Sequence, residues 1–216
     1  PFVLFDLDGT LTDPFEGITK SVQYALRALG IEEPDRRRLA RFIGPPMKES
    51  LMEFYGMSEE EALYGVRKYR ERFSAEGWRE NLLFDGVPQM LSTLRDAGAF
   101  LGIASSKPQI FVERILEHFQ LSEYFDLVCG SELDGTRSHK AQVIAYALQQ
   151  IGADAASVVM VGDRMYDLDG AAQNGIDAVG VCFGYAVRGE LSVCPHVYLA
   201  QDILSLTRFL LRKEDM

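Results

Sequence analysis

Residues 2–10 read FVLFDLDGT, a short apolar run that ends in two carboxylates and a glycine. Four consecutive apolar side chains, Phe2–Phe5, are typical of a strand buried on both faces of a parallel sheet. Asp6 and Asp8 follow this run at once, at the strand end where ligands bind in open α/β sheets. A plain polar turn also accounts for the pattern, because Asp and Gly are common in turns. The stretch therefore predicts a buried first strand with a candidate site at its carboxyl end.

Five further apolar runs are predicted as strands: Phe100–Ala104, Leu127–Cys129, Val158–Val161, Ala178–Cys182 and, more weakly, Val197–Leu199. Helical patterns separate these runs. One helix ends at Gly98, one has Pro108 in its first turn, and one runs from an N-cap at Ser138 to Gly152. Strands that alternate with helices predict an α/β fold, a doubly wound parallel sheet with helices on both sides.

Residues 14–81 break this alternation, because no convincing strand occurs among them. Helical patterns cover Glu16–Leu29, Pro34–Phe42, Met47–Tyr55 and Ser58–Glu76. We expect an all-helical domain over residues 14–81, inserted into a sheet domain of residues 1–13 and 82–216. Asp13-Pro14 and Leu82–Gly86 are the expected linkers.

The composition excludes several classes of protein. The chain has 216 residues, 47% hydrophobic and 25% charged, which is ordinary for a globular protein and argues against disorder. A net charge of −10 disfavours nucleic-acid and membrane-surface partners. Three widely spaced cysteines predict buried thiols rather than disulfides, and no apolar run is long enough for a membrane span. We expect a cytoplasmic protein that is a monomer or a weak homo-oligomer.

Two other predicted strands also end in polar or charged side chains. Asp163 and Asp167 follow the strand Val158–Val161, and the strand Phe100–Ala104 continues into residues 105–107. That triplet consists of Ser105, Ser106 and Lys107. Because the carboxyl ends of parallel strands meet at one edge of the sheet, these side chains and the two carboxylates of the first strand are expected to converge.

Four converging carboxylates, Asp6, Asp8, Asp163 and Asp167, would repel one another and would not all stay ionised. A hard divalent cation removes this conflict, and oxygen-only ligands suit Mg²⁺. Zinc has no support, because no His or Cys lies beside these acids. The sequence therefore predicts a Mg²⁺ site formed by these four residues.

Lys140 and the Ser105-Ser106 pair indicate an anion at the same edge. Lys140 lies in the first turn of its predicted helix, where a cation opposes the helix dipole unless an anion binds nearby. The two serine hydroxyls, with the free N–H groups of the helix near Pro108, form a plausible anion cradle. A solvated lysine and an ordinary polar loop are the alternatives for these two features.

In this order, the segments resemble the four motifs of the haloacid dehalogenase superfamily of phosphohydrolases. Residues 6–11 resemble the first motif, Ser105 the second, Lys140 the third and residues 162–167 the fourth. The resemblance implies a Rossmann-like core with the strand order 5-4-1-2-3. The helical insert is similar to the cap of a subgroup that includes phosphoglycolate phosphatases, β-phosphoglucomutases and 5′-nucleotidase-like enzymes.

The resemblance also implies a role for each matched residue. Asp6 would be the nucleophile that forms an aspartyl-phosphate. Asp8 would protonate the leaving alcohol and then activate water, while its backbone carbonyl binds Mg²⁺ beside Asp6 and Asp163. Asp167 would orient a metal-bound water or Lys140, and Lys140 would hold a phosphate oxygen. An acid at the position of Asp8 argues against dehalogenation.

Substrate choice in this superfamily belongs to the cap, so the core motifs leave it open. The residues expected to contact substrate are Thr10, Ser105, Ser106, Lys107, Arg41 and Lys48. Arg41 and Lys48 are also explained as solvated charges of the insert. The resemblance implies hydrolysis of a small phosphorylated metabolite, a nucleoside 5′-monophosphate or phosphoglycolate. The alternatives are a mutase that returns the phosphoryl group and a non-catalytic binding protein on the same scaffold.

Overall fold

The computed structural model of the chain describes residues 2–212, which divide into two compact units. One unit takes the described residues up to Asp13 together with those from Leu83 onward, and the other is Pro14–Leu82. The sequence interpretation ends the insert at residue 81, one residue earlier. That this unit acts as a cap stays a prediction.

The strands of the described chain form two sheets. In chain order they are β1 (Phe2–Phe5), β2 (Thr12–Asp13), β3 (Leu82–Leu83), β4 (Phe100–Pro108), β5 (Leu127–Ser131), β6 (Val158–Gly162), β7 (Asp177–Val181) and β8 (Tyr198–Ala200). β2 and β3 pair with each other, and the other six form a parallel sheet in the order β5-β4-β1-β6-β7-β8. The predicted doubly wound sheet is confirmed. The predicted strand order holds for its five strands, and β8 extends the sheet beyond them at one edge.

Helices alternate with these strands. They are α1 (Phe15–Ala28), α2 (Met47–Tyr55), α3 (Glu59–Ala75), α4 (Val87–Asp96), α5 (Gln109–His118), α6 (Lys140–Ile151), α7 (Met165–Gln173) and α8 (Ile203–Arg212). α6 and α7 pack over Leu4 and Met160 in one buried core. Val3 and Phe5, which alternate with Leu4 along β1, are also buried, so both faces of the sheet are covered.

Two predicted helix starts are wrong by one residue. Pro108 precedes α5 with an extended ψ of 132°, so the helix begins at Gln109. His139, not Ser138, is the N-cap of α6, because the Gln142 side chain accepts the His139 backbone N–H in a capping-box arrangement. Lys140 thereby becomes the first residue of α6.

A bulge shapes the carboxyl end of β4. Its partner register with β5 runs Gly102 to Leu127 and Ala104 to Cys129, then jumps to Pro108 opposite Ser131. Four steps along β4 therefore match two along β5, and the surplus lies at Ser105–Lys107. The bulge leaves this triplet free of regular pairing at the edge of the sheet where β1 and β6 end.

The unit Pro14–Leu82 is built from α1, α2 and α3 with short 3₁₀ turns. α3 is preceded by a capping box in which Ser58 and Glu61 bond each other's backbone N–H groups. The predicted helix from Pro34 is instead a 3₁₀ helix over Arg36–Phe42. Across this unit, Arg72 pairs with Glu80 at 2.8 Å.

Two general expectations can be compared with the described residues. Within residues 2–212, no helix combines the length and apolar character needed to cross a bilayer. All three cysteines are free thiols, but Cys182 is exposed, so the expectation that all three are buried is wrong for that residue. Cys182 follows β7 directly, at the point where the chain leaves the sheet.

Candidate active site

Lys140 joins two of the predicted acids at the carboxyl edge of the sheet. Its Nζ atom lies 2.8 Å from Asp6 Oδ1 and 2.8 Å from Asp167 Oδ1, and it donates to the Ala104 carbonyl at 2.9 Å. All three charged side chains are buried. The first residue of α6 therefore reaches across to the ends of β1 and β4, so the surface-lysine alternative is wrong.

Asp6, Asp163 and Asp167 form one buried carboxylate cluster. One oxygen of each lies within 4.8 Å of the others. Asp163 follows β6 and accepts the Tyr185 backbone N–H at 2.7 Å and the Thr10 hydroxyl at 3.4 Å. Asp167 lies in the first turn of α7. The prediction that the ends of β1 and β6 bring these acids together is confirmed.

The loop after Asp6 has to pass very close to Asp163. Gly9 has φ +83°, and a Cβ atom built on it would lie 2.2 Å from Asp163 Oδ2. Only glycine fits both this backbone conformation and this distance. The loop closes on the Leu7 carbonyl, which accepts the N–H groups of Leu11 and Thr12.

Asp8 has a different partner from the other acids. Its Oδ2 lies 2.6 Å from Lys107 Nζ, and both side chains are buried. Its other oxygen, Oδ1, is buried and makes no hydrogen bond with the part of the chain that the structure describes. The Asp8 carboxylate thus lies outside the three-residue cluster, as expected if only its backbone carbonyl contacts a metal.

Burial governs the ionisation of this site. It raises the pKa of Asp163 well above its usual range, and the nearby charges of Asp167 and Asp6 raise it further. Burial also raises the pKa of Asp167 to about 6, although Lys140 opposes the shift. The pKa of Asp8 is raised by burial against the lowering effect of Lys107. The pKa of Lys140 is raised: burial lowers it, but Asp167 and Asp6 more than offset that effect.

The donor set fits a hard divalent cation. The four aspartates carry four negative charges when ionised, and the ammonium groups of Lys107 and Lys140 balance two of them. A net charge of two negatives in a buried site is what one divalent cation neutralises. The donor atoms of the site are carboxylate oxygens, which hard divalent cations prefer.

Some of the residues predicted to contact phosphate make hydrogen bonds within the protein. The Thr10 hydroxyl donates to Asp163, and its contact with substrate stays a prediction. Ser105 is buried and its hydroxyl accepts the Lys107 N–H at 3.4 Å, while the Ser106 carbonyl accepts the Ser131 hydroxyl. The bulge in β4 keeps this triplet beside Asp8.

Arg41 and Lys48 belong to the helical unit. The Arg41 guanidinium lies over the Phe54 ring at 4.3 Å and near the Tyr55 ring at 5.4 Å. Lys48 pairs with Glu59 at 2.7 Å on the surface of that unit. A contact of either residue with substrate stays a prediction.

Two residues of the site, Tyr185 and Glu190, were missed by sequence reasoning. Tyr185 binds Asp163 through its backbone and Asp13 through its hydroxyl. Glu190 holds the side chain of Arg164, which lies within the fourth motif. A backbone contact leaves no mark on residue type. An Arg–Glu pair 26 positions apart in the chain has no local pattern, so no sequence signal would have found these residues.

Known proteins share this fold and much of this sequence. The family model of haloacid dehalogenase-like hydrolases matches residues 3–181. A 5′-nucleotidase of Pseudomonas aeruginosa is 47% identical over 210 residues, which cover 97% of this chain and 95% of that protein. The tyrosine-protein kinase PtkA of Mycobacterium tuberculosis is 45% identical over 184 residues, which cover 85% of this chain and 62% of that protein. The crystal structure of a predicted phosphatase from Clostridium acetobutylicum has a TM-score of 0.96 at 44% identity, covering 98% of each chain.

The chain belongs to the haloacid dehalogenase-like hydrolase family. Within that family it is an enzyme of the phosphatase type. The predicted membership and enzyme class are thereby confirmed.

Proposed function

We propose that this phosphatase hydrolyses small phosphomonoesters with Mg²⁺, through an aspartyl-phosphate on Asp6, and that nucleoside 5′-monophosphates are its main substrate class. The observation that carries the proposal is the Lys140 bridge between Asp6 and Asp167, with Asp163 in the same cluster. Burying three carboxylates around one lysine is costly, and buried titratable groups of this kind cluster at functional sites.

Asp6, Asp163 and Asp167 would hold Mg²⁺ through carboxylate oxygens, and the backbone carbonyl of Asp8 would add another oxygen. Bound Mg²⁺ supplies the positive charge that lets an anionic phosphate approach an anionic nucleophile. The charge balance of the site supports a divalent ion, and its oxygen donors support Mg²⁺ over zinc.

The first chemical step belongs to Asp6 and Asp8. A carboxylate oxygen of Asp6 attacks phosphorus, so an oxygen–phosphorus bond forms while the bond to the leaving alcohol breaks. Asp8 donates its proton to the departing oxygen. Burial, which raises the pKa of Asp8, favours the protonated form that this step requires.

The second step restores the enzyme. Asp8, now ionised beside the Lys107 ammonium, accepts a proton from water as the water oxygen attacks phosphorus. The bond between phosphorus and Asp6 breaks, and inorganic phosphate leaves. Lys140 stabilises the negative charge that develops on the phosphate oxygens, and Ser105, Ser106 and Lys107 position them.

Support for the substrate class comes from the relatives rather than from the core. A 5′-nucleotidase that aligns with nearly the whole chain supports nucleoside 5′-monophosphates as the first class to test. Arg41 supplies a cation, and Phe54 and Tyr55 supply aromatic surface, of the kind that binds a nucleotide. Phosphoglycolate remains the second class. We further propose that the enzyme acts in the cytoplasm as a monomer or weak homo-oligomer.

Release of inorganic phosphate from a panel of phosphomonoesters with Mg²⁺ tests the proposal. We expect turnover of nucleoside 5′-monophosphates, abolished by EDTA and lowered at least ~10³-fold by Asp6→Asn. Transfer of the phosphoryl group to a second sugar-phosphate position with little phosphate released would instead indicate the mutase. Turnover of no panel member would favour a binding protein, and full activity of Asp6→Asn would refute the nucleophile assignment.

A further inference from the structure

We propose that Glu190 is a positioning residue for the divalent-cation site: it fixes the segment from which the two acids of the fourth motif project and so sets their affinity for Mg²⁺. The inference rests on the proposed Mg²⁺ site. Glu190 contacts neither acid itself, and it lies in the loop after β7, outside all four motifs.

The Glu190 carboxylate joins three donors from two parts of the chain. Its Oε1 accepts Arg164 Nε at 2.8 Å and the Met165 backbone N–H at 2.9 Å, and its Oε2 accepts the Val187 N–H at 2.9 Å. The side chains of Glu190 and Arg164 are only 5% and 10% exposed. Such a buried ion pair holds its geometry, because breaking it leaves an uncompensated charge.

The first line of connection leads to Asp167. Met165 is the first residue of α7, so Glu190 satisfies one of the free N–H groups of that helix start. The backbone N–H of Arg164 donates to Asp167 Oδ2 at 3.0 Å. Glu190 therefore binds the side chain of Arg164, and the backbone N–H of Arg164 binds Asp167.

The second line of connection leads to Asp163. The Val187 N–H bond to Glu190 closes a tight loop, and two residues before Val187 the Tyr185 N–H donates to Asp163 Oδ2 at 2.7 Å. Gly184 packs so closely that a Cβ atom built on it would lie 2.4 Å from the Asp163 Cβ. A loop released at Glu190 would carry the N–H that orients Asp163 with it.

This arrangement makes Glu190 an outer partner of both acids. Groups that orient metal ligands without touching the metal typically change metal affinity when they are replaced. Glu190→Gln keeps the length of the side chain but removes its charge, and its NH₂ group faces donors instead of accepting from them. Without that anchor, Asp163 and Asp167 would still be present but less well placed.

The test is direct titration of the full chain with MgCl₂ by isothermal calorimetry, with the melting temperature in EDTA measured alongside. We expect Glu190→Gln to weaken Mg²⁺ binding ~10-fold or more. The matched control is Asp126→Asn. Asp126 also bridges an arginine and a backbone N–H, Arg95 at 2.5 Å and Leu101 at 3.0 Å, but it precedes β5 at the opposite edge of the sheet. Asp126→Asn should lower the melting temperature and keep the affinity of the unsubstituted protein.

Glu190→Asp provides a second variant that keeps the charge, and we expect it to bind Mg²⁺ with an affinity between those of Glu190→Gln and the unsubstituted protein. If the unsubstituted protein binds Mg²⁺, and Glu190→Gln and Glu190→Asp bind it with the same affinity as the unsubstituted protein, Glu190 has only a structural role and this proposal is wrong. If the unsubstituted protein binds no Mg²⁺, the proposed metal site and this proposal both fail. Calorimetry separates these outcomes without relying on activity.

Discussion

The ammonium of Lys107 lies 2.6 Å from the Oδ2 atom of Asp8, and both side chains are buried. The two groups come from the bulge in β4 and the loop after β1. Burial raises the pKa of Asp8, and Lys107 opposes that shift. Asp8 has to give up a proton and then regain it, so its pKa must permit both protonation states. The opposed effects of burial and Lys107 on that pKa meet this requirement.

Lys107→Met should therefore change the pH profile of the enzyme. Removal of the positive charge leaves burial unopposed, so the pKa of Asp8 rises. Because the second step needs ionised Asp8, the acid limb of the kcat profile should move to higher pH. Steady-state rates across pH 4–9 measure this shift, and Lys107→Arg, which keeps the charge, is the control. An unchanged acid limb in Lys107→Met would contradict the assigned role of Asp8.

Asp167 should make the metal-free protein less stable as the pH rises. Its folded pKa of about 6 lies above its ordinary 3.8, so the folded state holds this proton more tightly than the unfolded state does. The resulting stabilisation is present below pH 4 and is lost as the pH rises through about 6. In EDTA, Asp167→Asn should lack this loss, and its unfolding free energy should gain on the order of 2 kcal/mol relative to the unsubstituted protein between pH 4 and 7. Urea unfolding at several pH values gives the two slopes, and parallel curves would refute the pKa assignment.

Mg²⁺ should stabilise the protein through Asp163. Because the ion binds only the folded site, the melting temperature of the protein should rise with MgCl₂ concentration. Asp163→Asn should weaken the response at least about tenfold in Mg²⁺ concentration, since even outer partners of a metal have effects of that size. Asp154→Asn is the control, because Asp154 is exposed and its Oδ1 accepts the local Ala156 N–H, far along the chain from the acids of the site. Equal Mg²⁺ responses in the two variants would show that Asp163 is no ligand.

Gly9→Ala should lower activity as well as introduce backbone strain. Gly9 and Gly98 both have φ +83°, but a Cβ atom on Gly98 meets no atom within 4 Å, whereas on Gly9 it collides with Asp163. Gly98→Ala should lower the unfolding free energy by about 1–2 kcal/mol and leave kcat unchanged. Gly9→Ala should add to that a large loss of kcat, because Asp163 has to move. Denaturant unfolding and initial rates on both variants test this prediction. A Gly9→Ala enzyme with the kcat of the unsubstituted protein would contradict it.

Arg41→Ala should raise KM for nucleoside 5′-monophosphates about 10-fold, the size of effect for a lost contact between charged groups, with little change in kcat. Arg67→Ala is a suitable control, because Arg67 also lies near a ring, that of Tyr64, in the same unit. Equal KM values in the two variants would assign Arg41 to the structure of the helical unit alone.

The core and its motif residues were predictable for a physical reason. Apolar runs such as Phe2–Phe5 and Val158–Val161 carry strand burial in their own composition, and the acids directly after them mark the strand ends. Parallel strands bring those ends to one edge, so strand assignment places Asp6 and Asp163 at the same edge of the sheet. α7 was not predicted, because it is short and Asp and Gly residues interrupt its apolar pattern.

The contacts between side chains were less accessible. Contact of Lys107 and Thr10 with substrate stays a prediction, but the structure also gives them partners that the sequence did not indicate, Asp8 and Asp163. The bulge that brings Lys107 to Asp8 depends on the register between β4 and β5, which the residues of β4 do not specify by themselves.

The parallel sheet, the helical insert and the acids of the site can be derived from the sequence, because burial and strand ends are local properties of composition and spacing. The pairing of the charges is visible only in the folded protein. Lys140 lies between Asp6 and Asp167, Lys107 against Asp8, and Glu190 behind Arg164. These choices depend on distances of a few ångströms between segments far apart in the chain, and it is those distances that set each group's energy in a buried site.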